Sequence, residues 1–338
     1  MSYPTISVVM AAYNVEKYIG EAIESIKKQS FNDWELIIVD DCSKDATYTI
    51  AQKYAANDTR IKLIKRNTNS GGCRIPRFDA IMEARGKWVC SIDADDIIEN
   101  EMFSKLLHRQ EETGADMILS RIVICGEDLS PSKTLLPCAG FDMSQIISGR
   151  EAVEYTINGW RISVTSALIN TIVYQQYLSK IDWSSFNGPF SDELDHRKML
   201  LTASKIAFVD AYYYYRQQPQ SIVHNKSAKS FSGIRNMINL LDFVTELSGG
   251  DQILLQQMHI EYLNRIYRYQ VDFVFNNKIY SHRECHEIKN MIKTSYDRIR
   301  SDKMRFQGIK QRLLSYNFLM FKCVAFLAAK YLWYKQLK

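Results

Sequence analysis

The chain has 338 residues, 46% of them hydrophobic and 24% charged, which excludes a disordered chain and allows a sizeable core. This length predicts one catalytic domain with a helical appendage. The formal net charge is +5, but residues 301–338 hold eight Lys or Arg against Asp302 alone. That segment is therefore +7 and residues 1–300 sum to −2. Because the body carries no basic excess, we expect no nucleic-acid partner.

The cysteines and the N-terminal residues are typical of a protein in a reducing compartment of the cell. Seven cysteines are scattered without a C-x-x-C pair or a zinc-site spacing, which is typical of free thiols in a reducing compartment. The first apolar run, residues 6–10, is too short for a signal peptide. No stretch reaches the ~20 apolar residues that span a bilayer. We therefore expect a cytoplasmic protein that is soluble or peripheral to a membrane.

Over the first 120 residues, runs of strand length alternate with stretches of helical spacing. The predicted strands are residues 6–10, 36–39, 61–64, 88–92 and 117–119. The predicted helices between them are residues 15–26, 47–54 and 75–82, and Asn14 is the expected N-cap of the first. This alternation predicts an α/β fold with a mostly parallel sheet flanked by helices. In such sheets ligands bind beyond the carboxyl ends of the strands.

The second half of the chain is less regular. Residues 207–215 are predicted to form a further strand, which ends in four consecutive tyrosines. Residues 230–300 have helical spacing throughout, with a break predicted at residues 248–251.

Two predicted strands end in acidic residues, at Asp40-Asp41 and at Asp93-Ala94-Asp95-Asp96. Carboxylates at strand ends can bind a base or ribose, or hold Mg²⁺ or Mn²⁺. They can equally cap the following helices. We expect Asp96 to be a cap, whereas spacing alone leaves both interpretations open for Asp93 and Asp95, since D-x-D is a short pattern.

Several short motifs follow one another in register over roughly residues 5–100. They are residues 7–14 (SVVMAAYN), 29–31 (QSF), 35–45 (ELIIVDDCSKD), 69–72 (NSGG), Arg77, 84–88 (ARGKW) and 93–96 (DADD). Together they resemble the opening of the family-2 glycosyltransferases, and such an ordered set is far more specific than any single motif. The resemblance implies a GT-A (Rossmann-like) fold, a nucleotide diphosphate sugar as donor and an inverting mechanism.

The resemblance also implies roles for the donor site. Ala11 and Tyr13 would line the base pocket, Tyr13 by stacking. Asp41 would accept a hydrogen bond from the base, which makes a UDP-sugar the first expectation because uracil offers an N–H. Arg77 and Ala94 would lie near the donor.

For the metal site, the resemblance implies that Asp95 contacts a divalent cation, Mn²⁺ or Mg²⁺. Asp93 would join it there or contact the ribose or sugar. A cation stabilises the negative charge that develops on a diphosphate leaving group. His224 is a candidate third metal ligand or phosphate contact, against the commoner role of a surface histidine.

An inverting transfer also needs a general base for the acceptor hydroxyl. The resemblance implies an acidic pair at a helix start, which residues 188–195 (GPFSDELD) match, with Asp192 as the base and Glu193 as the second candidate. The alternative is a structural role, since acids favour a first helical turn. The chain departs from the family pattern at Ala12, Phe78 and Ser191, and at Cys42 where glycine is common. These departures leave sugar and acceptor specificity open.

The C-terminal tail, about residues 303–338, combines apolar residues, interspersed lysines and a terminal aromatic cluster. This pattern favours a helix that lies in the interface of an anionic membrane. The alternative is a helix that packs on the body or on a second subunit with its lysines pointing outward.

We therefore predict a GT-A domain over residues 1–225 and a helical region over residues 226–338. The predicted enzyme is a hexosyl- or N-acetylhexosaminyltransferase that acts on a glycan or lipid-linked acceptor in surface polysaccharide synthesis, at the inner face of the membrane. One rival, a sugar nucleotidyltransferase, would want a glycine-rich basic loop where residues 11–14 read AAYN. The other is a catalytically silent homologue that serves as a membrane-bound assembly partner. The sequence leaves the sugar, the linkage, the cation and a homodimer open.

Overall fold

The computed structural model describes residues 3–137, 140–157, 161–181, 192–218 and 227–336. The chain divides into two compact units. Of the described residues, the first unit holds 3–156, 161–181 and 195–218, and the second holds 157, 192–194 and 227–336.

A mixed sheet forms the first unit. Within the described residues its strands are β1 (Ile6–Ala12), β2 (Trp34–Asp40), β3 (Ile61–Lys65), β4 (Trp88–Ser91), β5 (Ile97–Ile98), β6 (Met117–Cys125), β7 (Pro131–Leu136), β8 (Ile146–Ile147), β9 (Leu168–Asn170) and β10 (Ile206–Arg216). They run in the order β3-β2-β1-β4-β9-β6-β10-β5, with β7 on β6 and β8 on β10. β3, β2, β1 and β4 are parallel, as are β6 and β10, while β9 is antiparallel to β4 and β6.

Helices flank this sheet. They are α1 (Ile19–Lys27), α2 (Thr47–Asn57), α3 (Arg74–Met82), α4 (Met102–Thr113), α5 (Gly149–Thr156), α6 (Thr171–Leu178) and α7 (Asp192–Thr202), whose first three residues are counted with the second unit. α1 buries Ile19, Ala22, Ile23 and Ile26, one face at helical spacing. β2 is buried along its whole length, which explains its near-continuous apolar run. The predicted α/β fold is confirmed.

Close packing against β1 explains the glycine in the motif of residues 84–88 (ARGKW). The Gly86 backbone N–H donates to the Ser7 hydroxyl of β1 at 2.8 Å. A Cβ on residue 86 would lie 2.6 Å from the Ser7 backbone nitrogen. Only glycine therefore allows the chain to pass this close to β1 before it enters β4.

Both predictions of helix caps after β-strands are wrong. α1 begins at Ile19, and Asn14 instead has a left-handed φ of 51°, with its side-chain oxygen accepting from the Lys44 backbone N–H at 2.8 Å. Asp96 precedes the short strand β5, and α4 begins only at Met102. Each polar side chain has a tertiary partner that outweighs the local capping preference.

The second unit is helical in its described part. Its helices are α8 (Gly233–Ser248), α9 (Gln252–Asn276), α10 (His282–Ser301), α11 (Ile309–Tyr316) and α12 (Phe318–Gln336). The predicted break separates α8 from α9, where Gly249 has φ 56° and the Asp251 side chain caps α9 by accepting from the Ile253 N–H. The core includes Phe231, Tyr262, Tyr296 and Phe321. Among the described helices, none has the length and apolar character of a membrane span.

Candidate active site

The loops after β1, β2 and β3 are tied together by side-chain hydrogen bonds at the carboxyl end of the parallel strands. The Asn14 backbone N–H donates to the Ser43 hydroxyl at 3.1 Å, which joins the first loop to the second. Asp41, after β2, accepts from the Ser70 hydroxyl at 2.8 Å and from the Asn69 amide at 3.0 Å, which joins the second to the third. This edge is where an α/β sheet binds its ligand.

Asp41 is almost fully buried, at 2% exposure. Besides Asn69 and Ser70, the Arg66 guanidinium pairs with its carboxylate at 3.0 Å. The carboxylate therefore shapes the pocket by holding the third loop in place. Its predicted hydrogen bond to a base remains a prediction.

Cys42 explains why glycine is common at its position in the family pattern. Its φ of 64° lies in the left-handed region, which costs a residue with a Cβ about 1–2 kcal/mol. The loop thus keeps a glycine-like turn although the sequence has a side chain there.

Ala11, Tyr13 and Ala94 occupy the same edge of the sheet. Ala11 is the next-to-last residue of β1, and Tyr13 follows the strand with 45% of its side chain exposed. Ala94 is buried. An exposed ring beside a loop held by hydrogen bonds is compatible with the predicted stacking on a base.

Arg77 and Asp93, predicted separately to contact the donor, form an ion pair. The Arg77 Nη2 donates to Asp93 Oδ1 at 2.7 Å. Arg77 projects from α3, and Asp93 lies just beyond β4. The structure therefore brings together a cation and an anion that the sequence separates by sixteen residues.

Asp96 is a buried structural acid. Its carboxylate accepts from the Tyr213 hydroxyl at 2.5 Å and from the Arg216 backbone N–H at 2.7 Å. The same Tyr213 oxygen accepts from the Asp93 backbone N–H at 3.2 Å. Burial, then repulsion from Asp95 and Asp93, raises the pKa of Asp96 well above its usual value. This acid thus fastens the loop after β4 to β10.

Asp95 is the acid in this loop that is left without a cation. Gln218 donates to its Oδ2 at 2.7 Å, and no ion pair to Asp95 is formed by the described residues. Burial, followed by repulsion from Asp93, raises the pKa of Asp95 to about 6, against the opposing effects of its backbone hydrogen bond and Arg216. A divalent cation would relieve both causes.

The Asp93 and Asp95 carboxylates fit a Mg²⁺ or Mn²⁺ ion that is also bound by substrate phosphates. In the described residues, no group of three or more His, Cys, Asp or Glu side chains is arranged to hold a metal ion. A full protein cage is therefore not formed by these residues. Mg²⁺ is usually bound by one or two carboxylates together with substrate phosphates, and Asp95 with Asp93 offers that type of site.

Several polar side chains near this site were not predicted from the sequence. The Arg74 guanidinium pairs with Asp195 of α7 at 2.8 Å, and both side chains are buried. Burial, with Arg77 and Arg197 nearby, lowers the pKa of His196 to about 3, so this imidazole is neutral. Gln218 also had no local signal. For the buried ion pair of Arg74 with Asp195, the sequence offers one weak signal, which is a charged residue within a stretch of helical spacing in both α3 and α7.

The predicted catalytic acids begin α7. Glu193 accepts a hydrogen bond from Arg265 Nη1 at 3.2 Å, and Arg265 also pairs with Glu261 at 3.3 Å. Asp192 is the first residue of the helix and is half-buried. The roles of Asp192 and Glu193 remain predictions. His224 and residues 182–191 lie outside the described residues.

Comparison with known proteins agrees with this geometry. The sequence profile described as Glycosyl transferase family 2 matches residues 7–163. These residues belong to glycosyl transferase family 2. The expected recognition of the family is thus confirmed.

Two relatives share much of this chain. It is 28% identical over 226 residues to the glycosyltransferase GlyG of Streptococcus pneumoniae, covering 65% of this chain and 73% of that protein. It is 30% identical over 285 residues to the poly(ribitol-phosphate) β-N-acetylglucosaminyltransferase TarS of Staphylococcus aureus. That alignment covers 81% of this chain but only 46% of TarS, so the chain spans less than half the length of this relative.

A solved structure confirms the fold. The crystal structure of S. aureus TarS 1–349 in complex with UDP-GlcNAc has a TM-score of 0.68 with this chain at 22% identity. The match covers 98% of this chain and 92% of that one. The predicted GT-A fold with a helical C-terminal region is therefore confirmed.

Proposed function

We propose that this glycosyltransferase transfers a sugar from a UDP-sugar to a hydroxyl of a surface glycan, with inversion and with a divalent cation. The observation that carries the proposal is a difference in ion pairing between the two acids Asp93 and Asp95, which follow β4. Asp93 is neutralised by Arg77, whereas Asp95 forms no ion pair with the described residues and has a raised pKa. A half-buried carboxylate without a counter-ion, at the ligand-binding edge of the sheet, fits a cation that arrives with an anionic substrate.

The proposed cofactor is Mn²⁺ or Mg²⁺, held by Asp95, with Asp93 as a second ligand or as a contact to the ribose or sugar. When bound, such a cation stabilises the charge of the leaving diphosphate as a Lewis acid. The Gln218 amide orients the Asp95 carboxylate through its 2.7 Å hydrogen bond. Arg77 holds Asp93 in the same way.

The proposed donor is a UDP-sugar, with UDP-GlcNAc as the first candidate. Support comes from the TarS crystal structure, in which TarS is in complex with UDP-GlcNAc. Tyr13 and Ala11 would line the base pocket, Ala94 would lie near the donor, and Asp41 would read the base or hold the loop that does. A hexosyl donor is the second candidate.

The proposed base is Asp192. It would take the proton of the acceptor hydroxyl as that oxygen attacks the anomeric carbon, while the bond to the diphosphate breaks on the opposite face. Asp192 lies at the start of α7, where the positive end of the helix dipole favours its ionised form, as a base requires. Glu193 is the weaker candidate because Arg265 already pairs with it.

The proposed acceptor is a growing surface glycan or a lipid-linked oligosaccharide. TarS acts, by its name, on poly(ribitol phosphate), a phosphate-rich polymer. We further propose a cytoplasmic location at the inner face of the membrane, with α12 as the contact. Leu327, Tyr331 and Trp333 of this helix are each more than half exposed, which suits a helix in a membrane interface.

A donor screen tests the proposal. UDP-, GDP-, TDP- and CMP-sugars are incubated with the chain, with and without Mn²⁺, and nucleotide release is measured beside the Asp95→Ala variant. We expect slow release from one UDP-sugar that requires metal and Asp95. Absence of turnover with every donor would contradict the enzyme and would favour a silent assembly partner, an alternative that finds no support in the comparisons.

A further inference from the structure

An apolar groove crosses the surface of the second unit between α9, α10 and α12. Its volume is about 830 Å³, which lies in the usual range for small-molecule sites. We call it the α12 groove. Its apolar lining comes from Phe273 and Val274 of α9 and from Phe318, Phe326 and Leu327 of α12.

The walls of the α12 groove continue into exposed apolar surface. Phe326 is 47% exposed and Leu327 is 67% exposed. Further along the same helix, the segment from Tyr331 to Lys335 is exposed at every position. The groove thus opens beside an apolar and aromatic surface of the kind that marks an interaction site.

The charged side chains that line the α12 groove are all cationic, beside the neutral Gln270 and Asn290. Lys289 and Lys293 of α10 and Lys322 of α12 are groove residues, whereas no Asp or Glu is among them. Lys293 pairs with Asp297. Lys289 and Lys322 form no ion pair within the described part of the chain.

Two of these lysines converge on one ring. The Nζ of Lys293 lies 5.2 Å from the Phe318 centroid and the Nζ of Lys322 lies 5.3 Å from it, although they belong to different helices. The ring itself is packed against Tyr296 and Phe321, with centroids 5.2 and 6.0 Å away. Because Lys293 already pairs with Asp297, Lys322 is the cation over this ring that is left to attract an anion among the described residues.

We propose that the α12 groove binds an anionic phospholipid. One hydrocarbon chain would lie along Phe273, Phe326 and Leu327, and the phosphate would lie between Lys293, Lys322 and Lys289. An apolar cleft with a cationic rim matches a molecule that has an apolar chain and an anionic head. Neither a sugar nucleotide nor a neutral glycan offers the hydrocarbon part.

The proposal deepens the proposed membrane contact and rests on it in the cell, but it does not depend on the transferase reaction. Lipid binding in the groove would make the membrane contact selective, because the groove would bind the anionic head group and the hydrocarbon chain of one lipid at the same time. The tip of α12, by contrast, would add apolar area without selecting a head group.

Calorimetry with a lipid below its micellar concentration tests the groove without a membrane. The probe is dihexanoyl phosphatidylglycerol, titrated into the full chain. The controls are dihexanoyl phosphatidylcholine and inorganic phosphate, which separate a lipid head group from free phosphate. We expect saturable binding of the anionic lipid and at least about tenfold weaker binding of either control.

Matched variants locate the site. Lys289→Glu/Lys322→Glu reverses two groove charges, and Lys310→Glu/Lys335→Glu reverses two exposed charges, on α11 and near the end of α12, that do not line the groove. Cys323→Trp fills the groove from an exposed position of the same helix. We expect the first pair and Cys323→Trp to weaken the lipid by at least about tenfold and the second pair to change it less than threefold. Circular dichroism and unfolding temperature of each variant confirm that the helices persist.

Three results would overturn the proposal. They are no binding of the anionic lipid, equal binding of the zwitterionic lipid, and equal losses in the two charge-reversed pairs. Nucleotide release from a UDP-sugar, measured in the same variants, separates this outcome from failure of the proposed function. If release is absent while lipid binds in the groove, only the enzyme proposal fails.

Discussion

The two units depart from the usual distribution of polar and apolar residues in opposite directions. The sheet unit buries charge: Asp41 and Asp96 are almost inaccessible, and Arg74 pairs with Asp195 in the interior. The helical unit exposes apolar side chains, most of all along α12. Buried polar groups and exposed apolar surface are the informative exceptions to hydrophobic burial. In this chain they mark the proposed donor site and the proposed lipid site.

The physical reasons for the two exceptions differ. The buried acids of the sheet unit discussed above have donors that compensate their desolvation, whereas Asp95, whose pKa is raised by burial, forms no ion pair with the described residues and accepts from the Gln218 amide. The apolar side chains of α12 that face solvent are left uncovered by the described residues. Within the described part of the chain, a carboxylate without an ion pair thus indicates a ligand in one unit, and exposed apolar side chains indicate a ligand in the other.

The largest effect we expect is on turnover, at the first turn of α7. Asp192→Asn should lower kcat by about 10²–10⁴ because the acceptor hydroxyl loses its base, with KM for the donor nearly unchanged. Glu193→Gln is the matched variant, and its pair with Arg265 predicts a smaller loss of kcat and a larger loss of stability. Steady-state kinetics measures both, and equal kcat values would remove Asp192 from the mechanism.

Breaking the buried ion pair of the sheet unit should cost the most stability. Arg74→Ala removes the cation that pairs with the buried Asp195 carboxylate, which predicts a loss of about 3–5 kcal/mol in the free energy of unfolding. Its control is Arg283→Ala, which breaks the exposed pair with Glu287 in α10 and should cost under about 0.5 kcal/mol.

Urea unfolding measures both variants. The double variant Arg74→Ala/Asp195→Ala should be less destabilised than the sum of its single variants, because both members of the buried ion pair are removed together. Similar costs for Arg74→Ala and Arg283→Ala would contradict the contrast between buried and exposed charge.

Asp96→Ala should have an intermediate effect. It leaves the Tyr213 hydroxyl and the Arg216 N–H without their acceptor, which predicts a loss of about 1–3 kcal/mol. Tyr213→Phe removes the donor to Asp96 and the acceptor of the Asp93 N–H, but it keeps the ring and the bond of Asp96 to Arg216, so it should cost less. Thermal unfolding checks the order of the two variants, and a neutral Asp96→Ala would show that this acid does not fasten the loop.

The smallest effect we expect is a gain. Cys42→Gly removes the strain of a left-handed φ of 64° and should raise the free energy of unfolding by at most about 1 kcal/mol, after the entropic cost of glycine. Asn14→Gly, at φ 51°, is the control and should gain less, because Asn tolerates this conformation and its side chain bonds Lys44. A loss of stability in Cys42→Gly would contradict this explanation of the family pattern.

The sequence predicted much of the fold because its strands are buried on both faces. The run of apolar residues in β2 and the helical spacing of α1 are local signals that the packing does not override. β9 was missed because it has only three residues, and it runs antiparallel to both of its neighbours, β4 and β6. A strand that short leaves no periodicity to detect.

The candidate site was predictable where it is local and unpredictable where it is tertiary. Asp93 and Asp95 could be read from their position after a strand. Their distinguishing partners are Arg77, from α3, and Gln218, two residues beyond the end of β10, and no sequence spacing predicts those contacts. The cap predictions for Asn14 and Asp96 failed for the same reason, since their partners lie 30 and 117 or more residues away.

Calorimetric titration of UDP, with and without Mn²⁺, tests the central claim most directly. The central claim is that Asp95 forms no ion pair with the described residues because a cation that arrives with a nucleotide diphosphate supplies its counter-charge. In the wild type we expect Mn²⁺ to tighten UDP binding by at least about tenfold, and in Asp95→Asn we expect this gain to vanish while the metal-free affinity is kept. Equal tightening by Mn²⁺ in both proteins, or no UDP binding in either, would contradict the account.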